Sequence, residues 1–444
     1  KQNNTKTDQI EFAYSNIVSS KITRIEKNNI MSIDKGYISI NSDIKTNTQK
    51  GLYLKANLPY VNLDDFISVY SEEGSSSGFK IDKADIALKH ADLFDRRFNN
   101  IKIEIAPVNA STKFKISSNE TSGNLLWTEK DNKLTARLNG LKLPNEIKKL
   151  SSTESSSSQK VPNLDIKIDS LEVDGKKVGK LELVSMTSKQ NINIQKFKII
   201  NDKNIFQAEG DWIGWNKNPI SNINFSWKIS NLGETLNFLG FPNFVKDGEA
   251  DVSGQLRWPG NPFSFDKTKV DGSFNLDVRK GIVQKVEPGI GRLFGLLTLQ
   301  SLPRRLSLDF RDLFGSGFVL DTMNVAVRVN NGIMKTSNFR MDGPAAEVFM
   351  SGEINIIKET QDLNLKVTPH ISDSLSIAAL AGGPLVGAVA FIAQKILKDP
   401  LNKVLTSEYR IIGTWEKPEE VNNSAADKIK TTIDNTKNLF NDKK

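Results

Sequence analysis

Apolar and polar residues alternate with a period of two along much of this chain. Ile223, Phe225, Trp227 and Ile229 are separated by Asn224, Ser226 and Lys228. Phe274, Leu276 and Val278 are separated by Asn275 and Asp277, and Leu164, Ile166 and Ile168 by Asp165 and Lys167. Leu363, Leu365 and Val367 repeat the pattern late in the chain. Residues i and i+2 share one side of a strand, so each segment predicts a strand with one apolar and one polar face, the pattern of antiparallel sheet. Val325, Val327 and Val329 run into Asn331-Gly332, a dipeptide that favours a two-residue hairpin turn.

Helical periodicity is confined to four segments. Residues 58–70, with Leu58, Val61, Leu63, Phe66, Ile67 and Tyr70, and residues 232–241, with Leu232, Leu236 and Leu239, each predict a short helix. In 289–302, Ile290, Leu293, Phe294 and Leu297 fall at i, i+3, i+4 and i+7. Pro303 ends that run, and Arg292, Arg304 and Arg305 lie in or after it with no acidic residue between Gly289 and Leu308. This amphipathic helix either packs on its own sheet or lies at a lipid surface, with Leu293, Phe294 and Leu297 as the contacting residues. Residues 375–397 sit in a stretch uncharged from Ser374 to Gln394 and broken by Gly382-Gly383-Pro384. A helix from Pro384 to Leu397 would be ~21 Å long, short of a ~30 Å hydrocarbon core. A helical hairpin is therefore expected, apolar on all sides and buried in protein or lipid. Leu385, Val386, Val389, Phe391 and Ile392 are its membrane-contact candidates, with Lys395, Lys398 and Lys403 placed to reach head groups.

The expected architecture is mostly β, with antiparallel pairing and a few short helices concentrated near the C-terminus; one-sided strands with so few helices to cover them either pack two sheets together or leave a groove. The organisation reads as a β segment over 1–150, a Ser-rich linker or loop over 151–160, a further β repeat over 161–285, a region with the two apolar helical segments over 286–418, and a polar tail over 419–444 that is frayed or weakly helical. Short repeats mark strand ends: Ser122-Gly123, Ser253-Gly254 and Ser351-Gly352, and the pairs Gly210-Asp211-Trp212 and Gly413-Thr414-Trp415. Glycine lets a strand bend, and tryptophan supplies a wide apolar side chain with one polar edge.

Composition narrows the chemistry. With 444 residues, 38% apolar and 25% charged, the chain has globular proportions. It has no cysteine, so thiolate metal sites and cysteine nucleophiles are ruled out, and only two histidines, His90 and His370, far apart in sequence. A net charge of +8 allows contact with anionic membrane, but basic and aromatic residues do not cluster as a nucleic-acid surface requires, so no nucleic-acid partner is expected. Gly289-Ile290-Gly291-Arg292-Leu293-Phe294-Gly295 lacks the dinucleotide spacing, and no P-loop, GxSxG or HExxH occurs. No catalytic residue, metal or cofactor is expected. Asp309 and Asp312 read as partners of Arg305 or Arg311.

Gly291-Arg292-Leu293-Phe294-Gly295-Leu296-Leu297, Leu302-Pro303-Arg304-Arg305-Leu306 and Asp309-Phe310-Arg311-Asp312 resemble the C-terminal region of the YhdP family, in the AsmA-like superfamily. So do Asp342-Gly343-Pro344-Ala345, Ser351-Gly352 and Tyr409-Arg410-Ile411-Ile412-Gly413-Thr414-Trp415-Glu416-Lys417-Pro418. The resemblance implies bridge-like lipid transport: an elongated, curved antiparallel sheet forming an open hydrophobic groove, whose apolar concave face holds phospholipid acyl chains between the inner and outer membranes of a Gram-negative envelope. On that reading the chain lies in the periplasm and meets the inner leaflet of the outer membrane through 375–397. The inner membrane is reached through an upstream segment not in this chain. Ile223, Phe225, Trp227, Ile229, Phe274, Leu276, Val278, Val325, Val327 and Val329 are the groove candidates. The alternative is a structural or assembly factor of the outer membrane without lipid conduction; an envelope enzyme such as a glycan hydrolase is the third class, since paired carboxylates need no fixed spacing.

Overall fold

The computed structural model describes residues 6–27, 30–43, 50–64, 81–93, 96–143, 161–188, 190–214, 218–263, 265–284, 318–344, 346–370 and 406–421. The predicted helices at 289–302 and 375–397 lie outside these residues, with Leu293, Phe294, Leu297, Leu385, Val386, Val389, Phe391 and Ile392; so do the Ser tract, Asp309 and Asp312. The chain divides into two compact units at Asn201/Asp202.

The first unit is built from twelve described strands: β1 (Lys6–Tyr14), β2 (Val18–Lys27), β3 (Ile30–Ile40), β4 (Gly51–Asn62), β5 (Lys83–Leu93), β6 (Arg96–Val108), β7 (Ser111–Ser117), β8 (Thr121–Thr128), β9 (Lys133–Leu143), β10 (Asn163–Val173), β11 (Lys176–Thr187) and β12 (Asn191–Ile200). Each pairs with the next in sequence. Most steps are antiparallel, but β3–β4, β4–β5 and β9–β10 are parallel, which corrects the wholly antiparallel expectation. Alternation reports which face a side chain occupies and is blind to strand direction; parallel steps instead need a returning connection, and 41–50, 63–82 and 144–162 supply them.

The helix predicted over 58–70 is also corrected at its start. Residues 58–62 belong to β4, where Leu58 and Val61 stand opposite Leu88 and Ala91 of β5. Leu58, Val61 and Leu63 pack on the buried cluster of Leu88, Ala91 and Ile101. The pairing edge of β5 and this cluster decide the backbone, and weak helical spacing yields to them.

The second unit contains ten described strands and one helix: β13 (Asn204–Ile213), β14 (Ile220–Ile229), α1 (Leu232–Phe238), β15 (Val245–Pro259), β16 (Asp271–Val283), β17 (Phe318–Asn330), β18 (Ile333–Asp342), β19 (Ala346–Asn355), β20 (Thr360–Pro369), β21 (Ser407–Thr414) and β22 (Pro418–Val421). From β13 to β22 every step is antiparallel and sequential, giving an open meander. The predicted Asn331-Gly332 turn joins β17 to β18 with φ of 44° and 74°, the left-handed pair of a type I′ turn. Residues 418–421 form a strand on β21, not the frayed or helical start of a tail. The predicted helix over 232–241 is present as α1, capped by Asn231, whose side-chain oxygen accepts from the Glu234 N–H at 2.9 Å.

β18 carries one extra residue against both neighbours, at Ser337–Asn338. The Asn338 side-chain oxygen takes up the Ala326 N–H at 3.0 Å, replacing a ladder bond that the bulge removes.

Candidate functional site

Strand register in the second unit sets the predicted apolar residues side by side. Ile229, Trp227, Phe225 and Ile223 of β14 stand opposite Ala250, Val252, Gly254 and Leu256 of β15. Those stand opposite Val278, Leu276, Phe274 and Gly272 of β16, and these in turn opposite Met323, Val325, Val327 and Val329 of β17. Directly opposed residues share a face. All ten residues singled out from the sequence therefore lie on one face of one sheet. Ile223, Ile229, Val278, Val325, Val327 and Val329 are buried, while Phe225, Trp227, Phe274 and Leu276 are half-buried. The face continues through buried Met341, Val348, Met350, Leu363, Leu365, Val367 and Ile411.

Several members of this face were silent in the sequence. In β15, Ala250 and Gly254 dilute the apolar count although they keep the period of two with Val252, Leu256 and Trp258. Their size is set by position: Gly254 stands between Phe225 and Phe274, and a Cβ there would lie 2.6 Å from the Cβ of Phe274. Phe206 of β13 stacks on Phe225 at 6.3 Å between ring centroids and meets Trp227 edge-on at 6.1 Å. The Trp227 indole N–H donates to the Asn204 side-chain oxygen at 3.1 Å, which also accepts from the Thr235 hydroxyl of α1 at 3.1 Å. A signal that finds these residues is the alternation counted with Ala and Gly as apolar.

The opposite face is polar and charge-paired across strands. Arg279 meets Asp251 at 2.8 Å, Lys335 meets Glu353 at 2.7 Å, and Arg410 grips Asp362 with two bonds of 2.9 Å. The Arg410 guanidinium holds the Asp362 carboxyl below the usual carboxylate range. A hollow of about 840 Å³ beside the β18 bulge is walled by Asn338 and by the paired Lys335, Glu353, Asp362 and Arg410, the ordinary chemistry of a solvated sheet face. Asp266, in the β15–β16 loop, accepts from the Thr268 hydroxyl at 2.7 Å and its N–H at 2.9 Å; these two bonds, with Lys269 beside them, lower its carboxyl to about 2.

His90 shares a 2.9 Å bond with Asn99 in the first unit, and His370 lies 3.8 Å from Asp342 in the second. Among the described residues no three His, Asp or Glu side chains group as metal ligands, and no described helix is long and apolar enough to cross a membrane.

No solved structure matches this chain. It is 27% identical over 247 residues to the intermembrane phospholipid transporter YhdP of Escherichia coli (strain K12), a match that covers 55% of this chain and 20% of that relative. The chain thus spans about a fifth of the relative's length. The YhdP protein family profile matches residues 1–420, nearly the whole sequence. On that match, with the one-sided strands it accompanies, the chain belongs to the YhdP family.

Proposed function

We propose that this chain is a segment of a phospholipid conduit, holding acyl chains on the apolar face of β13–β21 as they pass between the inner and outer membranes. The observation that carries the reading is the register itself, which aligns Trp227, Val252, Leu276 and Val325, and beside them Phe225, Gly254, Phe274 and Val327, in rows across successive strands. Rows of this kind give an acyl chain a continuous apolar path.

The magnitudes suit passage rather than storage. Sheltering a methylene from water is worth ~0.8 kcal/mol, so ten methylenes half-covered by an open face gain ~4 kcal/mol. That is enough to hold a chain and too little to trap it. The half-buried Phe225, Trp227, Phe274 and Leu276 mark where such a chain would lie. The membrane contacts belong to the same proposal: 375–397 enters the inner leaflet of the outer membrane, 289–302 lies at a lipid surface, and an upstream segment reaches the inner membrane, which places the chain in the periplasm. Its partners are phospholipid acyl chains and the two membranes.

A benzophenone side chain at position 225 tests the reading. On irradiation of the purified chain it is expected to form adducts on phospholipid acyl chains, whereas the same group on the polar face at position 275 is not. Equal capture at both positions, or none at 225, would contradict the proposal.

A further inference from the structure

The Gly-x-Trp repeats acquire a common location in the second unit. Register carries one edge of the sheet from strand to strand: Ile213 opposite Ile220, Ile220 opposite Pro259, Asp271 opposite Asn330, Ile333 opposite Asn355, and Thr360 opposite Thr414. Trp212, Trp258 and Trp415 all sit at this edge, one at the exit of each of β13, β15 and β21. Trp258 is buried under the β15–β16 loop, and its indole donates to the Asn261 carbonyl at 3.1 Å. The other two differ. The indole nitrogens of Trp212 and Trp415 are shielded from water and have no hydrogen-bond partner among the described residues, and Trp415 as a whole is 5% exposed.

A third unsatisfied group lies at the same edge. Gln361, 4% exposed, stands opposite Ile354 and Gly413 on the apolar side of the sheet. Its amide nitrogen donates to the Thr414 carbonyl at 3.3 Å, which fixes the orientation of the amide, and its oxygen is left without a donor. A buried polar group without a partner forfeits the hydrogen bonds that water would give it. Two orphaned donors and one orphaned acceptor along one edge of an otherwise apolar face therefore point to a polar partner supplied from outside the chain. Lys267, Lys358 and Lys417 are exposed in the loops of this edge and have no ion-pair partner among the described residues; Glu359 and Glu416 share the edge.

We infer that this tryptophan edge is the rim along which the polar part of each phospholipid lies. Its ester and phosphate oxygens accept from Trp212 and Trp415, a headgroup that carries an amine or hydroxyl donates to Gln361, and its acyl chains run inward over Phe225, Phe274 and their neighbours. Indole suits the place because its ring rests on apolar surface while its N–H can turn to a polar partner at the edge. The inference rests on the acyl-chain reading above and adds an orientation to it: all lipids in the second unit present their headgroups to the same edge, away from α1.

Fluorescence quenching in the full chain tests it. One variant replaces Trp127, Trp215 and Trp227 by Phe, leaving the three edge tryptophans; a second keeps Trp227 alone. Each is given phosphatidylcholine carrying a nitroxide either on the headgroup or at the acyl-chain end. Headgroup nitroxide is expected to quench the edge tryptophans at least twofold more than chain-end nitroxide, and Trp227 less. Stronger quenching of the edge tryptophans by the chain-end label would overturn the orientation while leaving the acyl-chain reading intact. No quenching of either variant by either label would instead overturn the acyl-chain reading, and the orientation with it. Should the substituted chains fail to fold, the indole N–H resonances of the unsubstituted chain answer the same question. Those of Trp212 and Trp415, identified by Trp212→Phe and Trp415→Phe, are expected to move downfield on addition of phosphatidylglycerol vesicles, and their staying fixed while lipid binds overturns the orientation.

Discussion

Phe225 concentrates the account in one side chain. It is half-buried between Ala208 and Gly254, with Phe206 stacked beside it, so it is both part of the apolar face and open to an occupant. Phe225→Asp places a carboxylate in the acyl path, where its desolvation under a lipid costs several kcal/mol while an empty open face leaves it hydrated. The chain is expected to fold with a melting temperature close to that of the parent and to lose most of its lipid transfer between vesicles; unfolding of the variant would mark a closed core. Backbone demands show at Gly352, where φ is 138° and a Cβ would sit 2.1 Å from the Asp362 carbonyl oxygen. Gly175 has a φ of 73° in the turn between β10 and β11 with nothing within 4 Å of its Cβ position. In urea denaturation Gly352→Ala is expected to cost more than ~2 kcal/mol and Gly175→Ala ~1 kcal/mol, because only the first adds a clash to the left-handed strain. The charged residues set a pH dependence. Asp266 and Asp362 titrate lower when folded, so their contribution is complete above the unfolded carboxylate value of ~3.9 and is lost as pH falls through the folded value, about 2 for Asp266. Thermal stability is expected to be flat from pH 7 to 5 as far as these groups set it and to fall between ~4 and ~2, with Asp266→Asn removing part of that fall.

At the scale of elements, what the sequence disclosed follows from what periodicity measures. Strands β14, β16 and β17 were legible because Ile, Phe, Val and Trp alternate there with Asn, Asp and Lys, and the β17–β18 turn because Asn-Gly takes left-handed φ at both positions. Strand β15 was hidden by its own packing, which demands Gly254 between two phenylalanines. The parallel steps at β3–β4, β4–β5 and β9–β10 were illegible because direction leaves no trace in alternation. Residues 58–62 misled because a spacing of three brings Leu58 and Val61 onto one helical face, while tertiary pairing with β5 outweighs one weak turn of helix. The candidate site followed the same logic: its ten residues were singled out by alternation, and their common face needed only the register. The tryptophan edge needed the structure, since the indoles of Trp212, Trp258 and Trp415 are indistinguishable in sequence and differ only in whether a carbonyl is within reach. For 375–397, the proposal of leaflet contact predicts that Val389→Lys with Phe391→Lys weakens flotation with outer-membrane lipid vesicles while folding persists, each charge costing ~2–3 kcal/mol near the hydrocarbon. Misfolding of that variant in the absence of membrane would place the segment in a protein core.

For the molecule as a whole, one division of labour explains the two faces of the second unit. Cross-strand pairs such as Arg410–Asp362 and Arg279–Asp251 occupy the polar face, where each is worth at most ~1 kcal/mol and keeps the sheet soluble and in register. The other face carries the apolar rows and no described charge pair. The proposed conduit needs no general acid, base or nucleophile, so single alanine replacements of His90, His370, Asp309 and Asp312 are expected to leave lipid transfer within a few-fold of the parent; a thousandfold loss from any one with folding intact would restore an enzymatic reading. The most direct measurement is the lipid content of the purified chain. Quantitative mass spectrometry of extracts from the parent and from Phe225→Asp, each shown to be folded by its melting transition, is predicted to find bound phospholipid in the first and several-fold less in the second. Phospholipid absent from both, or present in equal amount, would contradict an acyl-chain path across this face.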